Sequence, residues 1–158
     1  MTNKQGSHSN RINLDDAPAY LIQRTARLLR WHFMRTFIGA HSGVTPEQWM
    51  LLNRLREYGK LSQVDLTDRA FRDRPNITRM LEKLEQRGLV EREPDPEDGR
   101  RQLVTLTDQG ERFLEAAAPL ALEERQVVYA GLSSDDIELL RRVLAQIEQN
   151  ILDSAERD

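Results

Sequence analysis

The chain has no cysteine among its 158 residues. That single absence removes disulfide bonds, a thiol redox switch and thiolate metal ligands, because each requires a sulfur the chain does not carry. Histidine is scarce: His8, His32 and His41 are the full complement, and they are scattered without the spacing that a shared metal requires. Long apolar runs are missing as well, none approaching the roughly 20 residues that cross a bilayer. The N-terminal MTNKQGSHSNR has no apolar core of the kind a signal peptide needs. These absences predict a cytoplasmic protein with no membrane association, no bound metal and no cofactor. No paired base and nucleophile and no glycine-rich phosphate loop stand in the sequence, so an enzyme is not expected. A large charge of one sign is lacking too: the net charge is −3 and the pI about 5.7. An acidic balance argues against coating nucleic acid by charge alone and leaves room for a local basic patch.

What is present is patterning. Hydrophobic residues make up 39% and charged residues 31%, the composition of a chain rich in amphipathic helix and long enough for one core plus an association element. Residues 1 to about 14 are polar and aperiodic and predict a flexible arm. From Ala17 to Ile38, Ile22, Ala26, Leu29, Phe33 and Phe37 recur every three or four residues, and Leu21, Leu28 and Trp31 add a second apolar stripe. A helix with two stripes needs two partners. Thr45, Pro46 and Glu47 have the chemistry of a helix start, and the helix they open carries Leu51, Leu52, Leu55 and Tyr58 and stops at Gly59. Ser62 and Asp65 predict a capping-box start to a short third helix. Asp73 and Pro75 open a fourth, whose inward row is Ile77, Met80, Leu81 and Leu84 and whose end is Gly88.

After Gly88 the period changes. "LVERE" and "QLVTLT" are strand-like and are separated by the turn formers of "PDPEDGRR", which predicts a β-hairpin with an exposed tip. Thr107 caps a fifth helix that Pro119 should kink or divide. Ser133 and Asp136 open a sixth, in which Ile137, Leu140, Leu144, Ile147 and Ile151 form a heptad seam.

Helix, short turn, helix and hairpin is the order of a winged helix-turn-helix. A helix fits the DNA major groove, where base edges present a distinguishable hydrogen-bond pattern, while the hairpin reaches toward the neighbouring minor groove. With the inward row buried, Asn76, Thr78, Arg79 and Lys83 face outward, and Arg69, Arg72, Arg74 and Arg79 fall within eleven residues that hold one acid, Asp73. Arg100 and Arg101 add positive charge at the hairpin tip. Asp98, two residues from Arg100, is close enough to hold its guanidinium and aim it at a narrow groove. Taken singly, arginines on a helix are a solvated face; the conjunction of basic helix and basic hairpin points to DNA.

"NITRMLEKLEQRGLVERE" followed by "DPEDGRRQLVTLTDQG" resembles the MarR (multiple antibiotic resistance regulator) family of bacterial transcription factors. The similarity lies in a recognition helix ending Leu-Glu-x-x-Gly-Leu-Val, a wing with Asp-x-Arg, and a strand ending Leu-Thr-x-x-Gly. The resemblance implies a dimer in which the first, fifth and sixth helices interlock. It also implies that Asn76, Thr78 and Arg79 meet the major groove, that Arg100 enters the minor groove and that Asp98 braces the wing. Family members that sense oxidants use a cysteine, which is absent here. The usual remaining mechanism is capture of a small aromatic or phenolic anion in a cleft, and Trp31, His32, Arg35, Trp49 and Arg54 are the residues expected to line it, although helix aromatics more often serve the core.

The expected fold is therefore mainly α with a small β-hairpin wing: a winged helix-turn-helix plus a helical dimerisation region. The expected division is an arm at 1–14, a dimerisation helix at 15–44, the DNA-binding domain at 45–107 and dimerisation helices at 108–158. The expected function is sequence-specific binding of a homodimeric regulator, a repressor, to a pseudo-palindromic operator in double-stranded DNA. The alternative is a winged-helix protein-interaction module without specific DNA binding.

Overall fold

A computed structural model describes residues 17–39, 43–67 and 74–155. The arm expected at 1–14, His8, His41, Arg69, Arg72, the capping Asp73 and the side chain of Arg74 lie outside the described residues. The elements in chain order are α1 (Pro18–Gly39), α2 (Pro46–Tyr58), β1 (Leu61–Ser62), α3 (Gln63–Thr67), α4 (Arg74–Gln86), β2 (Val90–Pro94), β3 (Gln102–Leu106), α5 (Asp108–Val128) and α6 (Ser134–Ala155). They fall into two compact units, one ending at Glu124 and the other running Arg125–Asp158. Among the described residues no helix is long and apolar enough to cross a membrane.

Local signals set most boundaries. Thr45 and Gln48 form a reciprocal capping box at α2: the Gln48 N–H donates to Thr45 Oγ1 at 3.3 Å and the Thr45 N–H to Gln48 Oε1 at 3.1 Å. This satisfies two of the amides that a helix start leaves without intrahelical acceptors. Ser62 and Asp65 do the same for α3, and Ser133 and Asp136 for α6. At the end of α4, Gly88 has φ +67°; its N–H bonds the Glu85 carbonyl at 2.8 Å and the Leu89 N–H bonds that of Leu84 at 3.0 Å. That pair of bonds is the Schellman motif, whose left-handed residue costs glycine little.

The first unit is built around α4. Ile77, Met80, Leu81 and Leu84 are buried and meet Leu51, Leu52 and Leu55 of α2, Leu66 of α3 and Leu114 of α5. Tyr58 departs from the expected α2 row: it is 59% exposed in the last turn, with the Arg54 guanidinium 5.8 Å from its ring centre. The hairpin gains a third strand that its two-residue length hid, because two residues are too short to show a period. β1 pairs with β3 through Leu61↔Val104 and Ser62↔Leu103, and β2 pairs with β3 from Val90↔Leu106 to Pro94↔Gln102, all antiparallel in the order β1-β3-β2. Alternation puts Val90 and Arg92 on one face of β2, opposite Leu106 and Val104.

α5 runs unbroken from Asp108 to Val128 through Pro119. Of the two outcomes expected of Pro119, a kink or a division, the division does not occur. Proline removes the hydrogen bond to the carbonyl four residues earlier, but Ala117, Leu120 and Ala121 on this stretch pack with Phe33 and Phe37 of α1 and Trp49 of α2, and tertiary packing holds a helix that local propensity weakens. Elsewhere α1 is bare: Tyr20, Leu21, Ile22, Leu28, Leu29 and Trp31 are all exposed. In the second unit α6 has no buried residue; its heptad seam is exposed at Leu140 and Ile151 and half-buried at Ile137, Leu144 and Ile147.

Candidate nucleic-acid interface

α4 presents two opposed rows. Its buried row fixes the rotation of the helix, and the rotation leaves Asn76, Arg79 and Lys83 exposed on the other side. Arg79 and Lys83 make no hydrogen bond or ion pair with another described residue, so both cations are available to a partner. Thr78 is half-buried and its hydroxyl accepts a hydrogen bond from Gln63 Nε2 at 2.5 Å. It therefore ties α4 to α3 as well as facing the outer rim, a role for Gln63 that the sequence did not disclose.

The wing is fastened to this helix by charge. Arg92, on the inner face of β2, reaches Glu85 of α4 with Nε at 3.0 Å from Oε2 and a second, shorter contact through Nη2. The guanidinium hydrogen bonds hold the Glu85 carboxyl below its ordinary pKa, and the carboxylate in turn holds Arg92 above its own. Lys60, just before β1, pairs with Glu93. These four residues were not anticipated; the alternation in "VERE" puts Arg92 with Val90 on the helix-facing side, and that was the available signal.

At the wing tip Asp98, Arg100 and Arg101 take three different positions. Asp98 Oδ1 accepts the backbone N–H of Arg100 at 3.1 Å, and the Asp98 carbonyl accepts the N–H of Arg101 at 2.8 Å. Asp98 thus braces the turn through the backbone and not through the Arg100 guanidinium: a short carboxylate closes a ring with an amide two residues on. The Arg100 side chain is exposed and makes no hydrogen bond or ion pair with another described residue. The held guanidinium is that of Arg101, whose Nη2 donates to Ser62 Oγ at 3.0 Å and lies 3.6 Å from Asp65 Oδ2, with Nε 3.9 Å from Asp95 Oδ2. An open cavity of about 300 Å³ lies here, lined by Ser62, Gln63, Val64, Arg100, Arg101 and Gln102.

The five residues expected to hold a small ligand separate into three environments. Trp31, His32 and Arg35 line one open cavity of about 290 Å³ together with Thr36, and the Arg35 guanidinium stacks 4.8 Å from the Trp31 ring centre. Trp49 turns inward instead, 5.0 Å from Phe37 and 6.4 Å from Phe33 between ring centres, because its helix face is the apolar one. Arg54 lies along α2 against Tyr58. Trp31, His32 and Arg35 are thus brought together with Thr36, and Trp49 and Arg54 do not line this cavity.

Comparison with known proteins bears on this geometry. The MarR family model matches residues 44–101, which span α2 through the wing turn. The uncharacterized HTH-type transcriptional regulator YdgJ of Bacillus subtilis is 35% identical over 112 residues, 71% of this chain and 68% of the relative. The HTH-type transcriptional repressor NicR of Pseudomonas putida is 30% identical over 140 residues, 83% of this chain and 89% of its own. Among solved structures, Bordetella bronchiseptica BpsR, described for regulation of its DNA binding by 6-hydroxynicotinic acid, superposes with a TM-score of 0.78 at 26% identity, covering 87% of this chain and 96% of BpsR. A mutant MarR from E. coli, complexed with operator DNA, gives 0.73 at 26% identity over 82% and 91% of the two chains.

Proposed function

This chain belongs to the MarR family of transcriptional regulators, and on that premise we propose that it is a homodimeric repressor of a pseudo-palindromic operator, released by a small aromatic anion. The observation that carries the proposal is the opposition of rows on α4: four apolar side chains fix the helix against the core while Arg79 and Lys83 project outward uncommitted. A helix so held enters a major groove with its polar row leading, and Asn76 and Arg79 are of the types that bond adenine and guanine edges. Arg100, uncommitted at the wing tip, is suited to the narrow minor groove alongside. Arg74 and Lys83 add phosphate contacts, and Asp98 keeps the tip in shape.

Residues 45–107 form the DNA-binding part in this proposal, and 15–44 with 108–158 the dimerisation part. The exposed apolar residues of α1 and those of α6, Leu139, Leu140, Val143 and Ile151, support that assignment, since monomeric proteins rarely leave large contiguous apolar patches in water. Two-fold symmetry would place the two recognition helices about 34 Å apart or a multiple of it, in successive major grooves. For the ligand, Trp31 offers a stacking face and Arg35 a cation in one small cavity, a pairing suited to an aromatic carboxylate. BpsR, whose DNA binding is regulated by 6-hydroxynicotinic acid, supports this choice of chemistry, and the repressor NicR supports the choice of repression. Each tenfold loss of operator affinity requires about 1.4 kcal/mol of coupling between the two sites.

The test is recovery of bound fragments from sheared genomic DNA, followed by affinity measured against salt on the recovered sequence. A steep fall of affinity with salt and a two-fold-related sequence are expected. A protein that retains no DNA at low salt is not a regulator of this kind, and a protein-interaction module becomes the better description.

A further inference from the structure

Two adjacent arginines at the wing tip stand in opposite electrostatic situations. Arg100 has no acid within ion-pair distance among the described residues, whereas Arg101 lies between two, Asp65 at 3.6 Å and Asp95 at 3.9 Å, and donates to Ser62 Oγ at 3.0 Å. One cation between two carboxylates leaves the cluster with a net negative charge. Such a cluster offers little to a phosphate. Its geometry fits a different task. Ser62 and Asp65 are the capping box of α3, and Asp95 begins the wing turn, where its N–H bonds the Arg101 carbonyl at 2.9 Å. The backbone ladder between β1 and β3 stops at Ser62↔Leu103, so beyond that pair the Arg101 side chain carries the connection on to the turn.

We propose that Arg101 is a positioning residue: an intramolecular clamp that docks the wing turn on the N-terminal end of α3 and so sets where Arg100 points. The planar guanidinium has five donors in a fixed fork and can reach all three acceptors, where the ammonium of a lysine is a single point of charge. The role in DNA recognition rests on the proposal that the wing meets DNA; the clamp itself does not. Arg101 thereby leaves the set of direct DNA contacts anticipated from the sequence, and its neighbour remains in it.

The test compares Arg101→Lys, Arg101→Ala and Arg100→Ala in the full chain with two readouts. Without DNA, amide hydrogen exchange is followed at Asp95 and Arg101, whose N–H groups close the turn. Both Arg101 variants, the charge-preserving lysine included, should exchange about fivefold faster there, and Arg100→Ala should match the wild type. With DNA, Arg101→Lys should weaken binding about tenfold at an unchanged salt slope, while Arg100→Ala should make the slope shallower by about one unit. Wild-type exchange in both Arg101 variants would overturn the clamp. So would full operator affinity in Arg101→Lys together with a shallower slope in Arg101→Ala, the signature of a phosphate contact. If no variant and no wild-type protein binds DNA, the regulator proposal fails while the exchange data still decide the clamp.

Discussion

Replacing Gly110 by alanine should unfold this protein more readily than its place in a helix suggests. Gly110 lies in the first turn of α5, with its N–H donating to Thr107 Oγ1 at 3.0 Å. A Cβ built there meets the Leu89 carbonyl oxygen at 2.1 Å, Leu106 Cδ2 at 3.0 Å and the Leu89 carbonyl carbon at 3.1 Å. A carbon and a carbonyl oxygen normally stay about 3.3 Å apart, so α5 and the start of the wing must separate by roughly 1 Å. Neither side of the contact is a flexible side-chain end; both are backbone. Overpacking of this kind costs about 1–3 kcal/mol, here toward the upper end. The same Leu89 oxygen accepts the Thr107 N–H at 3.2 Å, and loosening that bond adds about 1 kcal/mol. Alanine returns about 1 kcal/mol as the better helix former. The net loss is about 3 kcal/mol, or a fall in Tm of roughly 6–12 °C for a chain of this size. Thermal and urea unfolding at one fixed protomer concentration are the assays, because any association of protomers would make Tm concentration-dependent. Gly99→Ala is the control: nothing lies within 4 Å of its Cβ, and its stability should change by less than about 0.5 kcal/mol. A Gly110→Ala protein as stable as the wild type would refute the close approach of α5 to Leu89.

Three further outcomes are expected. Arg79→Ala should reduce affinity for the operator more than for random DNA, by about 1–3 kcal/mol, while Arg100→Ala should show less base discrimination; paired binding isotherms on the two DNAs measure both, and equal negligible effects would contradict the docking. Phe37 is fully buried and stacked 3.9 Å from Phe33, so Phe37→Ala should cost about 3–5 kcal/mol and red-shift the fluorescence of Trp49 as water enters. Glu85 is held below its ordinary pKa by Arg92; the pair's contribution is therefore present above the usual glutamate value and lost as pH falls through the depressed folded one. Since both side chains are partly exposed, at 38% and 24%, that contribution is under about 1 kcal/mol. Glu85→Gln should accordingly narrow the stability difference between neutral and acid pH by that small amount in pH-series unfolding.

Much of the fold was legible because its signals are local. The cap at Thr45 and the capping pairs Ser62–Asp65 and Ser133–Asp136 act over three residues, and the turn at Gly88 needs only the last carbonyls of its own helix. The inward row of α4 was readable from its period, and with it the outward Asn76, Arg79 and Lys83. Misplaced features depend on distant neighbours. β1 exists because β3 supplies its ladder. Trp49 is half-buried against the core because Phe33 and Phe37 reach it from α1, and α5 survives Pro119 because those same residues pack on it.

By itself the sequence determined the kinds and limits of most elements, the rotation of α4 about its axis and hence the polar row it exposes, since periods and caps act within one or two turns of chain. Tertiary structure decided between Arg100 and Arg101. The two are neighbours of one residue type, and nothing local distinguishes them. Ser62, 39 residues away, and the acid Asp65 beside it lie within reach of one guanidinium and not the other, because pairing of β1 with β3 sets their register. Long-range pairing therefore engaged one guanidinium with Ser62 and Asp65 and left the next exposed at the wing tip.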